Sequence, residues 1–314
     1  MSDKPGNENR ITAKNLSEDE FFYGHKACAG CGGSLAVRMA LKVMGKRTFL
    51  VEPAGCMSAV SFNFPQMSFA NNAIISAFAG TGAVMSGIAA GARALGLKDY
   101  KVLGIAGDGG TADIGIQALS GLIDRNDDAV YICYDNEAYM NTGVQKSGLT
   151  PFGADTTTTP AGTEIHGNQR PKKNLFEIIA AHGVPYAATA SIGYMEDFLN
   201  KVKRASEVKG TSFIHVIAPC PTGWGISTDE TVEIAREVVD TGLWYLAEFY
   251  DGQIHLNKKP KTFKPVKDYI RKQGRFRGLS EDDLKEIIRQ RDETWIRLNQ
   301  RAERSDMSRY GHGE

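Results

Sequence analysis

Gly107-Asp108-Gly109-Gly110, followed by Asn136-Glu137-Ala138-Tyr139-Met140-Asn141-Thr142-Gly143, is the most informative part of this 314-residue sequence. Ahead of it, Lys101-Val-Leu-Gly-Ile-Ala106 is a short apolar run that stops at glycine and aspartate, as a buried strand does at a tight strand-to-helix turn. Gly107, Gly109 and Gly110 let backbone amides approach an anion closely. The segment Ala112 to Leu122, apolar at Ile114, Ala118 and Leu122, reads as a helix whose N-terminus faces the same anion. Asp108 is thereby placed beside a diphosphate.

An aspartate next to phosphate is repelled unless a cation lies between them, and Mg²⁺ takes few carboxylates together with phosphate oxygens. The next apolar run, Ala129-Val-Tyr-Ile-Cys-Tyr134, ends at Asp135-Asn136. Adjacent parallel strands bring Asn136 beside Asp108 at the carboxyl edge of a sheet. The G-D-G…N pattern resembles the thiamine diphosphate (TPP) motif, in which the aspartate, the asparagine and a backbone carbonyl two residues later hold Mg²⁺; by that resemblance the carbonyl is that of Ala138. The competing reading is a glycine turn in an ordinary nucleotide-binding sheet. Against it stands the polar loop Tyr139-Met140-Asn141-Thr142-Gly143, which holds side chains at the sheet edge where ligands bind in such folds.

The chain is long enough for one large α/β core with an appendage, and too short for two complete domains of this kind. Lys+Arg and Asp+Glu are equal at 37 each, so the charge balance points to neither nucleic acid nor a membrane surface. The polar start, Met1 to Arg10, lacks the apolar core of a signal peptide, which predicts a cytoplasmic protein. Ala73 to Ala92 carries no charge and is long enough to cross a bilayer, but its Ala, Gly and Ser suit a helix packed closely inside an α/β domain.

Around this centre the sequence predicts an N-terminal arm over 1–20, an α/β domain over 21–242 and a C-terminal extension over 243–314. Gly33 to Gly45 reads as a helix, Arg47 to Glu52 as a strand and Phe64 to Asn72 as a loop. Ser147 to Asn174 has no periodicity, and a loop of that length is usually functional or mobile. Asn174 then caps a helix to His182. Signals alternate through Tyr186–Ala190, Tyr194–Ala205, Ser212–Ala218 and Thr228–Val239, which implies a mostly parallel sheet with helices on both faces. Trp244 to His255 reads as a hairpin turning at Asp251-Gly252, and Ser280 to Asp283 caps a last helix. The basic run Lys258 to Arg277 reads as a solvated face.

Five cysteines remain: Cys28, Cys31, Cys56, Cys133 and Cys220. With no secretion signal, Cys28-x-x-Cys31 points to metal or redox chemistry rather than a structural disulfide. Cys56 and Cys220 each follow a predicted strand in a Gly/Pro-bounded turn, and four thiolates can hold zinc or an iron–sulfur cluster. Cys133 sits inside a strand as a small buried hydrophobe. Pairing with TPP favours [4Fe–4S], an electron acceptor, over redox-inert zinc.

From Cys28 to about Arg277 the sequence resembles the β subunits of the 2-oxoacid:ferredoxin oxidoreductases (the pyruvate:ferredoxin oxidoreductase family). The matching features are Cys28-Ala-Gly-Cys31-Gly, Ala54-Gly-Cys56, Gly107-Asp-Gly109, Asn136 to Gly143, Ala218-Pro-Cys220-Pro and Gln273-Gly-Arg-Phe276. The resemblance implies an α/β fold with a TPP half-site and one [4Fe–4S] cluster on this chain. Its ligands would be Cys28, Cys31, Cys56 and Cys220; those of Mg²⁺ would be Asp108, Asn136 and the Ala138 carbonyl. Cys56, Gly107 to Gly110 and Tyr139 to Asn141 would line the cofactor, with Asn141 near the reacting carbon. Implied partners are an aminopyrimidine-binding chain, a ferredoxin-like cluster subunit and ferredoxin. Many members carry Cys-Gly-Glu where this chain has Cys31-Gly32-Gly33. Loss of that carboxylate favours a more anionic substrate, and within the family the pattern is most similar to oxalate oxidoreductase. The expected reaction is oxidation of oxalate to CO₂, with a pyruvate-type reaction forming acyl-CoA as the alternative. Two other readings are an electron-transfer or scaffold subunit with an empty TPP pocket, and a non-redox carboligase with structural zinc.

Overall fold

The computed structural model describes residues 10–308, so the first nine residues of the arm predicted over 1–20 lie outside the described residues. From Ile11 the chain is tied down: its N–H donates to the Asn200 side chain at 2.9 Å, and Asn200 donates back to the Ile11 carbonyl at 2.8 Å.

Helix α1 (Gly32–Met44) starts directly behind Cys31, whose sulfur accepts the Ser34 N–H at 3.4 Å and serves as the N-cap. Strand β1 (Thr48–Pro53) leads into the short helix α2 (Cys56–Ser61). The predicted loop Phe64 to Asn72 begins inside a small antiparallel hairpin, β2 (Phe62–Asn63) with β3 (Gln66–Met67), and ends in strand β4 (Asn72–Ser76). The uncharged stretch Ala73 to Ala92 is therefore not one helix. It divides into β4 and α3 (Thr81–Ala94), because Phe78, Ala79 and Gly80 turn the chain between them. The expectation of close packing does hold for α3: a side chain on Gly82 would meet the Ala118 carbonyl oxygen at 2.4 Å. Among the described residues no helix is long and apolar enough to cross a membrane.

Strand β5 (Lys101–Gly107) ends at Asp108 and a π-helical turn, Gly109–Asp113, before helix α4 (Ile116–Arg125). The single helix predicted from Ala112 to Leu122 is thus interrupted. Its proposed core residue Ile114 lies in the break and is half exposed, while Leu119, Leu122 and Ile123 face the core. Then come β6 (Ala129–Asp135), α5 (Leu175–Ala181), β7 (Tyr186–Ser191), α6 (Met195–Glu207), β8 (Thr211–Ile217), α7 (Pro221–Trp224) and α8 (Thr231–Asp240). The chain closes with β9 (Ala247–Tyr250), β10 (Gln253–Leu256), α9 (Val266–Arg271) and α10 (Glu281–Ser308).

One eight-stranded sheet runs in the order β4-β1-β5-β6-β8-β7-β9-β10. Strands β4 to β7 in that order are parallel, and the C-terminal hairpin joins them antiparallel, with Ala187 opposite Phe249. Every residue of β6 and β8 is buried, as continuous apolar strands between two helical layers must be. Alternation divides the core. Ile105, Ile132 and Ile214 face α1 and α6, whereas Ala106, Tyr131, Cys133 and Phe213 face α3, α4 and α5. Cys133 is fully buried as predicted, on the face away from α1. A third cluster, with Trp224, Trp244 and Ile287, packs α8, α9 and α10 around one end of the sheet. Its capping helix starts as read, since Ser280 Oγ accepts the Asp283 N–H at 3.1 Å and Asp283 Oδ2 accepts the Ser280 N–H at 2.9 Å.

Candidate active site

Strands β5 and β6 are parallel neighbours, with Gly107 opposite Tyr134, so the chain leaving each strand turns at the same sheet edge. That register places Asp108 against Asn136. The Asn136 side-chain oxygen stands 3.0 Å from Asp108 Oδ1 and 2.9 Å from the Ala138 carbonyl oxygen, with no hydrogen between them. Two states resolve this crowding of acceptors. Either the amide turns over and donates to both, or a cation occupies the centre. Cis oxygens around an octahedral Mg²⁺ at about 2.1 Å lie about 3 Å apart, which is the spacing of the Asn136 oxygen from each of the other two.

Asp108 is buried, and Ser147 Oγ donates to its Oδ2. Burial, and next the charge of Asp135, push the Asp108 carboxyl well above the usual carboxylate range. A divalent cation here would supply the compensation that this environment withholds.

A cavity of about 230 Å³ opens beside these oxygens. Its walls are Pro53 to Cys56, Phe78, Gly107 to Gly110, Tyr134, Asn136 and Ala138 to Thr142, so each residue expected at the cofactor lines it. The first amides of a helical turn have no acceptor within the helix and face the space where a phosphate would sit. Gly109 is required by close approach, since a side chain there would meet the Tyr139 ring at 2.3 Å. Asn141 lies at the solvent-exposed mouth of the cavity.

Of the four cysteines expected to act together, Cys56 lines this cavity. Burial, and then the nearby Cys220, Cys31, Asp108 and Cys28, push the Cys56 thiol up to about 12. The Cys220 sulfur accepts the Gly223 N–H at 3.4 Å, matching the Ser34 amide on Cys31. Burial likewise raises the Cys220 thiol, and a metal cluster would ionise thiols placed in this way. Among the described residues, however, no three His, Cys, Asp or Glu side chains converge tightly enough to hold a metal ion as they stand. Cys28 is exposed.

Three residues at the site were not legible in the sequence. Ser147 and Lys172 come from the long loop between β6 and α5, and Arg275 from the Gln273-Gly-Arg-Phe276 turn. The loop's length was the only signal for the first two. Far from being loose, it is bonded to the site: the Gly148 N–H donates to Asp113 Oδ2 at 2.8 Å and Lys173 pairs with Asp113 at 2.5 Å.

Residues 53–216 match the family described as "Thiamine pyrophosphate enzyme, C-terminal TPP binding domain". The chain is 50% identical over 273 residues to the pyruvate synthase subunit PorB of Methanothermobacter thermautotrophicus, covering 87% of this chain and 95% of that one. It is 48% identical over 293 residues to the ketoisovalerate oxidoreductase subunit VorB of Pyrococcus horikoshii, covering 91% and 94%. A solved 2-oxoglutarate:ferredoxin oxidoreductase from Magnetococcus marinus shares the fold, with a TM-score of 0.55 at 21% identity over 70% of this chain and 78% of that one. With a TPP-binding domain over half its length and relatives of this kind over nearly all of it, the chain belongs to the β subunits of the 2-oxoacid:ferredoxin oxidoreductases.

Proposed function

We propose that this chain binds the diphosphate end of TPP through Mg²⁺ in an enzyme that oxidatively decarboxylates a 2-oxo acid of the pyruvate or ketoisovalerate type. Coenzyme A would take the acyl group, and Cys28, Cys31, Cys56 and Cys220 would hold a [4Fe–4S] cluster that supplies an electron acceptor on the way to ferredoxin. The convergence of Asp108, Asn136 and Ala138 oxygens beside the cavity is the observation that carries the reading. TPP, when bound, would supply the nucleophilic carbon and the electron sink that loss of CO₂ from a 2-oxo acid requires. The protein's part is to hold the diphosphate at Asp108 and Asn136, to shape the cavity with Phe78, Tyr139 and Met140, and to place Asn141 at its mouth.

Oxalate, favoured from Gly33, gives way to its alternative. The named relatives are pyruvate synthase and ketoisovalerate oxidoreductase subunits. Gly33 also faces packed side chains: a Cβ there would meet Met57 at 3.2 Å and the Tyr134 ring at 3.3 Å. A longer side chain there would require Met57 and Tyr134 to give way by a few tenths of an ångström.

Asn141 and Thr142 of the cavity lining are exposed, in keeping with a half-site completed by an aminopyrimidine-binding partner chain. The test is ferredoxin or dye reduction by the assembled complex with pyruvate, ketoisovalerate, 2-oxoglutarate and oxalate, each with and without coenzyme A. Coenzyme-A-dependent turnover of a 2-oxo acid is expected, with the isolated chain inactive. Faster turnover of oxalate without coenzyme A would reverse the substrate assignment. Absence of bound TPP in the complex would leave the scaffold reading, and zinc without iron the carboligase reading.

A further inference from the structure

The two residues flanking Asn136 in sequence, Asp135 and Glu137, turn away from the cavity into a buried cluster of charge. Lys172 Nζ lies between them, 2.7 Å from Asp135 Oδ2 and 2.6 Å from Glu137 Oε1. The other oxygen of Glu137 is 2.6 Å from the Arg275 guanidinium. Two carboxylates are thus matched by two cations, and His215 Nε2 completes Asp135 at 2.8 Å.

This cluster bears directly on backbone shape. Asp135 Oδ1 accepts the Glu137 N–H at 2.9 Å, and Glu137 holds a left-handed φ of +65°, a costly conformation for a residue with a side chain. The Asn136 carbonyl accepts the Trp224 indole N–H at 2.8 Å, and the Arg275 guanidinium stacks 3.6 Å over that same ring. Both ends of the Asn136–Glu137 peptide are therefore held, and its neighbours are bonded too, the Thr150 hydroxyl donating to the Glu137 carbonyl at 2.7 Å and the Ala218 N–H to the Asp135 carbonyl at 2.8 Å. Relaxing the turn at Glu137 would swing the Ala138 carbonyl and the Asn136 side chain away from Asp108.

We infer that Lys172 and Arg275 are positioning residues: by clamping Asp135 and Glu137 they hold the Asn136–Ala138 turn in the shape that presents its oxygens to a divalent cation. The inference rests on the TPP and Mg²⁺ reading of the cavity. Its physical basis is that partners behind a metal ligand fix its orientation, and their loss costs about 10–100-fold in metal affinity.

The test uses the assembled complex and measures TPP binding as Mg²⁺ is titrated. Lys172→Met and Arg275→Lys are each expected to raise the Mg²⁺ concentration for half-saturation by about tenfold or more. At saturating Mg²⁺ and TPP, kcat should recover most of its wild-type value, and Lys172→Arg should restore much of the Mg²⁺ affinity. Lys201→Met is the control. Lys201 is more deeply buried than Lys172 and pairs with Asp197 at 2.6 Å, far from this turn in the chain, so its loss should lower stability and leave the Mg²⁺ dependence unmoved. If Lys172→Met fails to assemble, Arg275→Lys decides, since it keeps the charge and loses the planar fork and its stacking. Unshifted half-saturation in the variants, with wild type binding normally, overturns the clamp alone. A wild-type complex that binds no TPP at any Mg²⁺ concentration overturns the functional reading, and the clamp with it.

Discussion

The phenol of Tyr139 donates a hydrogen bond to Asp113 Oδ2 at 3.0 Å, and the edge of its ring fills the place a side chain on Gly109 would need. The loop after β6 is thereby pinned to the π-helical turn after β5, and the two walls of the cavity are held at a fixed separation. Gly109→Ala should push the ring off Asp113 and weaken TPP binding by about tenfold or more, because a Cβ at 2.3 Å cannot be absorbed without moving the wall. Tyr139→Phe keeps the ring and loses one hydrogen bond, a cost of about 1 kcal/mol. TPP titration of both variants checks the ordering; equal binding by Gly109→Ala and wild type would show that the wall yields.

Ser147 makes a second such link, since its hydroxyl donates to Asp108 Oδ2 inside the protein. Ser147→Ala leaves that oxygen without its partner at a cost of about 1–3 kcal/mol. Thermal unfolding of the Mg²⁺-free protein should show the loss, and Ser147→Thr should recover part of it. An unchanged Tm in Ser147→Ala would mean the hydroxyl is dispensable.

Glu52 gives a pH dependence. It is fully buried on β1, one carboxyl oxygen meets Ser61 Oγ at 3.4 Å, and the other has no hydrogen-bond partner. Burial pushes its pKa up to about 8 from an ordinary 4.5. The folded state therefore keeps a proton that the unfolded chain releases. The sign follows: between about pH 4.5 and about pH 8 the unfolded state loses the proton first, so stability falls as pH rises through that window and levels off above it. Glu52→Gln should be more stable than wild type at about pH 9 and close to it at about pH 5. Tm measured across that range for both proteins isolates the effect, and parallel curves would remove Glu52 as its source.

The Asp108–Asn136 pairing was legible because it depends on local signals: two apolar runs, each ending in a polar turn, that parallel adjacency then brings together. Edge strand β4 was hidden for the opposite reason. Its Ala73-Ile74-Ile75 runs into the small residues of α3 without a charge or proline to separate them, and Ile74 and Ile75 are partly exposed rather than alternating. The break at Ile114 was also invisible, because a π-helical turn costs no change in residue type. Ser147, Lys172 and Arg275 reach the site through tertiary folding from segments with no period. The basic run shows how finely this depends on context: Lys258, Lys264, Lys267 and Lys272 pair with surface carboxylates as a solvated face should, while Arg275 among them is buried against Glu137.

The two proposed metal sites separate by mutation, because they draw on different residues at neighbouring ends of the sheet. Asp108→Asn removes the carboxylate that would neutralise Mg²⁺, so TPP binding should weaken sharply, while Cys28, Cys31, Cys56 and Cys220 are untouched and iron should persist. Cys220→Ser should do the reverse. It removes the sulfur that accepts the Gly223 amide, so iron and sulfide should fall and dye reduction with them, yet Asp108 and Asn136 still face each other and TPP should remain. Cys133→Ser is the internal control: buried on the α3, α4 and α5 face, it should cost stability through its hydroxyl and leave iron content of the folded protein unchanged. Iron, sulfide and TPP measured on all three variants of the assembled complex decide the assignment together. Loss of iron in Cys133→Ser with retention in Cys220→Ser would move the fourth ligand to the other face of the sheet, and loss of both iron and TPP in Asp108→Asn would show that the two sites fold as one unit.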